Sequence, residues 1–204
     1  LDGDQDGKID VWQSEVDALT SAANYLQQIG WQGNERWGRE VRLPENFDFS
    51  QIEFDKRYPL SYFAQMGVMQ VNGEPLPDYK TQAELVLPNG HQGHAFLVYQ
   101  NFSVIMDWNL SKNYALSVGI LADKLVGGQG VSSLKQAKPL AYSKTQLEKL
   151  QAKLNTLGFD TGEPDGIWGP MSRRAIRAFQ LEYKLIADGF PNPEVFKQLG
   201  LVQS

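Results

Sequence analysis

The sequence predicts an α+β protein built in separate pieces, and three observations carry that prediction. Apolar residues recur at helical spacing near both ends of the chain. The middle changes to short alternating runs punctuated by Pro, Gly and Asn. A small, polar stretch, residues 127–142, then interrupts the pattern before a second set of helices begins. A chain of 204 residues is long enough for one large or two small domains, each with its own core.

Composition narrows the function. A formal charge of −5 argues against a nucleic-acid partner, whose phosphates call for a basic surface. No apolar run approaches the roughly 20 residues needed to span a bilayer. The chain has no cysteine, which excludes disulfides, thiolate nucleophiles and zinc-thiolate sites. Its two histidines, His91 and His94, share one short loop, which makes a Ser-His-Asp triad a poor fit.

Residues 2–13 read DGDQDGKIDVWQ. Asp2, Asp4 and Asp6 alternate before Gly7, as in a calcium loop, where alternate oxygens converge on one hard cation and glycine makes the bend. Lys8 stands where the loop contributes a backbone carbonyl. Gln13 occupies the position of the usual bidentate Glu, so one ligand is neutral, and Glu15 is an alternative if the loop is longer. The expected ion is a structural Ca2+; the competing reading is an acidic turn that only caps a helix.

A helix follows over about Ser14–Gln28, with Val16, Leu19, Ala23 and Leu26 as its apolar stripe and Gly30 as its stop. Tyr25 lies off that stripe. From Trp31 to Asp107 the runs EVRLP, ELVLP, GHAFLVYQ and FSVIMDW predict a small antiparallel sheet. One short helix is expected within Ser61–Met69, and turns at Pro88-Asn89-Gly90 and Gln100-Asn101. His91 and His94 are expected on an exposed hairpin loop, without a third ligand for a metal. A second helix begins after Asn109 or Ser111 as N-cap, with Tyr114, Val118, Leu121 and Leu125 on one face and Gly127-Gly128 at its end.

Past the stretch 127–142, which reads as a tether, Ser143 and Gln146 form a capping box. Leu147, Leu150, Leu154 and Leu157 stripe one helix, closed by Gly158. A Pro164-Asp165-Gly166 turn and Gly169-Pro170 lead to another, with Ala175, Ile176, Phe179 and Tyr183 buried. Asn192-Pro193 opens a third that stops at Gly200. Arg173, Arg174 and Arg177 cluster with Asp160, Glu163 and Asp165. They offer either carboxylate-binding cations or mere neutralisation of acidic neighbours. Eight basic and seven acidic residues over 143–204 set up no strong field.

These residues support two resemblances. The run L-x-x-L-N-x-L-G-F…G-x-P-D-G-x-x-G-P-x-[ST]-R-x-A-I-x-x-F-Q resembles the three-helix peptidoglycan-binding domain of bacterial cell-wall hydrolases. It implies a binding module over 143–204, with Asp165, Arg173 and Arg174 as candidate contacts. Lys184 departs from the glycine common in relatives. The segments DGDxDGKIDVW, SAANYLQQIGW, WGREVRLP and NFSVIMDWNLSKNYALSVGILAD are similar to the later part of the lytic transglycosylase B family. That likeness implies the remainder of a lysozyme-like helical domain (residues 1–30 and 108–126) around a β-rich insert (31–107), then the linker (127–142). It also implies a bacterial periplasmic enzyme, monomeric, acting on glycan strands and stem peptides.

The same resemblance places the family's catalytic glutamic acid upstream of the calcium loop. The chain begins inside a motif, so a processed or truncated chain lacking that acid is expected. Glu40, between Arg39 and Arg42, is a tempting substitute, but flanking cations favour its charged form over a proton donor, and the role is not transferred to it. Tyr25, Trp108 and Asn109 match groove positions that contact saccharide; the alternative is that they only pack and cap. The rival to the enzyme fragment is a non-catalytic peptidoglycan-binding protein on a calcium-stapled scaffold.

Overall fold

A computed structural model describes residues 1–133 and 141–201. The chain divides into two compact units, Leu1–Gly38 with Val98–Gly130, and Arg39–Leu97 with Val131–Ser204. The C-terminal helices fall in the same unit as most of the β-rich stretch.

The first unit contains helices α1 (Glu15–Gln28), α3 (Gln100–Trp108) and α4 (Lys112–Leu125). Ser14 caps α1 by accepting the Asp17 N–H, and Ser111 caps α4 by accepting that of Tyr114. The run FSVIMDW, expected as a strand, is the body of α3. Its buried residues Asn101, Phe102, Val104 and Ile105 fall at i, i+1, i+3 and i+4, a helical spacing that a short apolar run does not distinguish from a strand. The expected Gln100-Asn101 turn is the first turn of this helix. Fully buried Asn101 explains the choice: its Nδ2 donates to the carbonyls of Gln32 and Glu35, and its Oδ1 accepts the Gln32 N–H.

The stripes predicted for α1 and α4 do not face a core within this unit. Leu19 is 71% exposed and Leu125 80%; α1 buries only Asp17 among its side chains. On α4 the inward residues are Ala115, Leu116 and Gly119, and Gly119 rests against the indole of Trp37, which in turn tilts on Phe102 at 6.3 Å.

The second unit holds a five-stranded sheet in the order β2-β4-β5-β1-β3. Its strands are β1 (Gly38–Arg42), β2 (Tyr58–Pro59), β3 (Met69–Gln70), β4 (Gln82–Val86) and β5 (Ala95–Val98). β1 and β3 pair antiparallel with Val41 opposite Gln70, as do β2 and β4 with Tyr58 opposite Ala83. Helix α2 (Leu60–Gln65) covers the sheet with buried Leu60 and Phe63. The two-residue strands β2 and β3 were beyond sequence reading, because they lack the length for a period to show.

Three further helices complete this unit: α5 (Lys144–Thr156), α6 (Pro170–Glu182) and α7 (Pro193–Gln198). The Ser143–Gln146 capping box is present, and Asn192 caps α7 by accepting the Val195 N–H. Leu150, Leu154, Ile176, Phe179, Val195, Phe196 and Leu199 form their core. Lys184 has φ +56, a left-handed conformation costing a residue other than glycine about 1 kcal/mol. The tether reading falls partly on residues 134–140, outside the described residues. On either side the chain is anchored: Ser132 binds Glu40 and Tyr142 stacks on Phe196 at 4.7 Å.

The closest packing in the first unit gives a direct test. A Cβ on Gly119 meets the Trp37 ring, and such overpacking costs about 1–3 kcal/mol, more than the helix gains from alanine over glycine. Gly119→Ala is expected to lower the urea midpoint followed through tryptophan fluorescence.

Candidate functional site

In the first unit the acidic loop folds as its spacing predicts. Carboxylate oxygens of Asp2, Asp4 and Asp6 lie within 4.8 Å of one another, with Gly7 at φ +86 supplying the bend. Asp2 accepts the N–H groups of Asp6 at 3.2 Å and Gly7 at 3.0 Å, and Asp6 accepts that of Lys8 at 2.8 Å. Ser14 Oγ donates to Asp4 at 2.8 Å, joining the loop to the helix cap. Of the five predicted ligands, these three carboxylates converge. Lys8 and Gln13 have exposed side chains, and the Gln13 N–H donates to Asp10.

The residue that closes this loop was not legible in the sequence. Asp17, on the first turn of α1, accepts the N–H groups of Gly3 at 2.6 Å and Asp10 at 2.8 Å. Those bonds, that from Asp10 foremost, hold its carboxyl below the ordinary value of 3.8.

On the same unit Tyr25 and Trp108, 83 positions apart, meet edge-on with ring centroids 5.4 Å apart and planes at 77°. Tyr25 is 43% exposed and Trp108 55%. Asn109, also exposed, follows at the end of α3, and its Oδ1 accepts the Ser111 N–H at 3.1 Å. Its side-chain NH2 has no partner among the described residues. All three predicted saccharide contacts thus come together as a polar-edged aromatic step. The end of α3 positions two of them and the off-stripe face of α1 the third.

The histidine loop differs from expectation. His91 Nδ1 lies 2.5 Å from Asp188 Oδ2, and His94 Nδ1 lies 2.6 Å from Glu40 Oε1; neither ring is on an exposed hairpin tip. Asp188, with its side chain fully buried, also accepts from Gln180 and from the backbone N–H groups of His91 and Phe190. Glu40 further accepts the Ser132 N–H at 2.7 Å and its Oγ–H at 2.8 Å. Of the flanking arginines, Arg39 donates to Tyr79 and Arg42 is exposed. Ser, His and Glu do come together here, but the carboxylate stands between the hydroxyl and the imidazole. The order is therefore serine, carboxylate, imidazole, not the serine, imidazole, carboxylate order of a hydrolase triad.

In the C-terminal helices, Asp165 stitches a turn. Its Oδ1 accepts from Gln151 Nε2 at 3.0 Å and from the Ile167 N–H at 2.8 Å, which lowers its carboxyl, the Gln151 bond first. Buried Gln151 also donates to Ser172 Oγ and accepts the Gly166 N–H. Arg173 and Arg174 form no ion pair with Asp160, Glu163 or Asp165 among the described residues. Arg174 is exposed. Arg177 donates to the carbonyls of Phe49 and Ser50.

With this geometry in place, comparison with known proteins assigns the class. Residues 1–123 match the transglycosylase SLT domain family, to which the chain belongs, and residues 143–199 match the putative peptidoglycan-binding domain family. Among solved structures, SltB3 from Pseudomonas aeruginosa, in complexes with NAG-anhNAM-pentapeptide and with NAG-NAM-pentapeptide, is 46% identical. It aligns over 98% of this chain and 54% of its own, with a TM-score of 0.88. Among curated proteins, the N-acetylmuramoyl-L-alanine amidase CwlM of Mycobacterium tuberculosis is 34% identical over 98 residues, 42% of this chain and 24% of its own. The chain therefore spans about half the length of the first relative and a quarter of the second.

The Gln151–Asp165 stitch predicts an acid limb. A carboxyl depressed in the folded state stabilises it above the ordinary value of 3.8, and that stabilisation is lost as pH falls through the depressed value. Gln151→Ala leaves the Gly166 N–H unanswered, at about 1–3 kcal/mol. It is expected to lower the melting temperature at pH 7 and to flatten its decline between pH 5 and pH 2.

Proposed function

We propose that this chain forms the groove wall, staple and wall-binding module of a bacterial peptidoglycan lytic transglycosylase acting in the periplasm. The observation that carries the reading is the exposed Tyr25–Trp108 step at 5.4 Å with Asn109 beside it, in a chain of the transglycosylase family. Aromatic faces suit the C–H surface of a pyranose, and the Asn109 NH2 suits an N-acetyl carbonyl. SltB3's complexes with sugar-peptide ligands support the same substrate class. No helix among the described residues is long and apolar enough to cross a membrane.

The chemistry proposed is proton donation to the glycosidic oxygen between N-acetylmuramic acid and N-acetylglucosamine. The bond from C1 to that oxygen breaks as the muramoyl 6-hydroxyl attacks its own C1 and passes its proton to the carboxylate the donor has become, giving a 1,6-anhydro sugar. An intramolecular nucleophile has a large advantage over water. In this reading the proton donor lies on a segment preceding Leu1, and this chain's residues orient the strand. The apolar stripes exposed on α1 and α4 support a body that continues past these residues. Glu40, engaged by His94 and Ser132, is not the acid.

Calcium belongs to the same proposal. Three carboxylates within 4.8 Å repel one another unless a cation lies between them, and an all-oxygen set is the one a hard divalent ion prefers. Asp2, Asp4 and Asp6 would hold it, with Lys8 and Gln13 completing the shell, and the ion would fix the start of α1 and with it Tyr25.

Two experiments test these statements. Joined to the upstream helical segment and incubated with isolated sacculi, the protein is expected to release 1,6-anhydro-muropeptides detectable by mass spectrometry. The 204-residue chain alone should release none while still pelleting with sacculi. Calcium is expected to raise the melting temperature of the 204-residue protein and a chelator to lower it. Asp4→Ala should be indifferent to both; a parent protein equally indifferent rules out the metal.

A further inference from the structure

A pocket of about 980 Å³ in the second unit takes no part in the chemistry above. The chain leaving β1, the loop before β5, Ser132 and Ile186 all contribute to its lining, so the sheet and the segment between α6 and α7 build it jointly. We infer that it binds a short zwitterionic peptide, the carboxylate on Arg42 and the ammonium on Glu45. Taking that peptide as one carried on glycan strands rests on the function proposed above.

The lining argues for a peptide rather than a sugar ring. Its aromatic residues Phe47 and Phe49 are buried and spend their surfaces on each other, edge-on at 4.8 Å, and Phe49 also meets His91. Among the described residues the pocket has no tryptophan or tyrosine in its lining for a pyranose to stack on. Val41, Leu43 and Pro44 add aliphatic wall, which suits small apolar side chains such as alanine.

The charged groups fall into two sets. Glu40, 11% exposed at its side chain, is answered by His94 and twice by Ser132, so it is not a ligand carboxylate. Arg42 and Glu45 both line the pocket and are exposed. Neither has a hydrogen-bond or ion-pair partner among the described residues, although they stand three residues apart with opposite charge. A guanidinium takes a carboxylate through two parallel N–H bonds; a carboxylate takes an ammonium. With Nδ1 engaged by Glu40, His94 has its other ring nitrogen, Nε2, left for a polar backbone group of the peptide.

The test uses the 204-residue protein, isotope-labelled, titrated with NAG-NAM-pentapeptide and separately with NAG-NAM lacking the peptide. The first ligand is expected to shift the His94 ring and the Gly93 and Ala95 amides; the second should leave them still. Arg42→Ala with Glu45→Ala should weaken binding of the peptide-bearing ligand at least tenfold without moving the melting temperature. Unmoved pocket resonances, or a double variant that binds as tightly as the parent, overturn the inference. If the pocket is silent while the protein still pellets with sacculi, only this inference falls. If pelleting fails and neither ligand moves any resonance, the functional reading falls with it.

Discussion

A carboxylate taken out of water must be answered by donors, and two answered carboxylates organise the second unit. Asp188 and Glu40 each receive one of the chain's two imidazoles and two backbone or hydroxyl donors besides. Removing one donor leaves a buried oxygen short of a partner, at about 1–3 kcal/mol. Each carboxylate therefore holds its segments in register. Asp188 joins the loop before β5 to the chain after α6, and Glu40 joins β1 to that loop and to the residue after the Gly-rich stretch. The C-terminal helices are consequently part of one unit with the sheet.

That docking gives physical content to the association of a binding module with a β-rich insert. Arg177 reaches the carbonyls of Phe49 and Ser50, Gly189 packs against Phe54, and Gly90 packs against Asp188 and Phe190. A side chain at either glycine would meet those atoms, and both have positive φ, so the close approach and the backbone conformation ask for the same residue.

The first unit follows a different logic. Its loop converges carboxylate oxygens, and its helix ends bring the Tyr25 and Trp108 rings together. Asp17 links the two, since the same carboxylate closes the loop and anchors the first turn of the helix carrying Tyr25. Loop geometry and groove geometry are thus coupled through one side chain.

Local chemistry was determined by the sequence alone. The alternating aspartates with Gly7, the Ser14, Ser111, Ser143 and Asn192 caps, and the Leu150, Leu154, Ile176 and Phe179 stripes all depend on neighbours within a few positions, which spacing records. The positions of Tyr25, Trp108 and Asn109 came from likeness to a family, and the fold then set the two rings against each other. Tertiary structure alone decided the rest. FSVIMDW became a helix because a buried Asn101 found three backbone partners some 66 to 69 positions away. The α1 and α4 stripes stayed exposed, because amphipathic spacing states that a face is apolar but not what lies against it. The histidines left the hairpin tip because Asp188, 97 positions from His91, and Glu40, 54 from His94, needed donors. Partners that distant leave no periodic trace in the chain, since only folding brings them within reach.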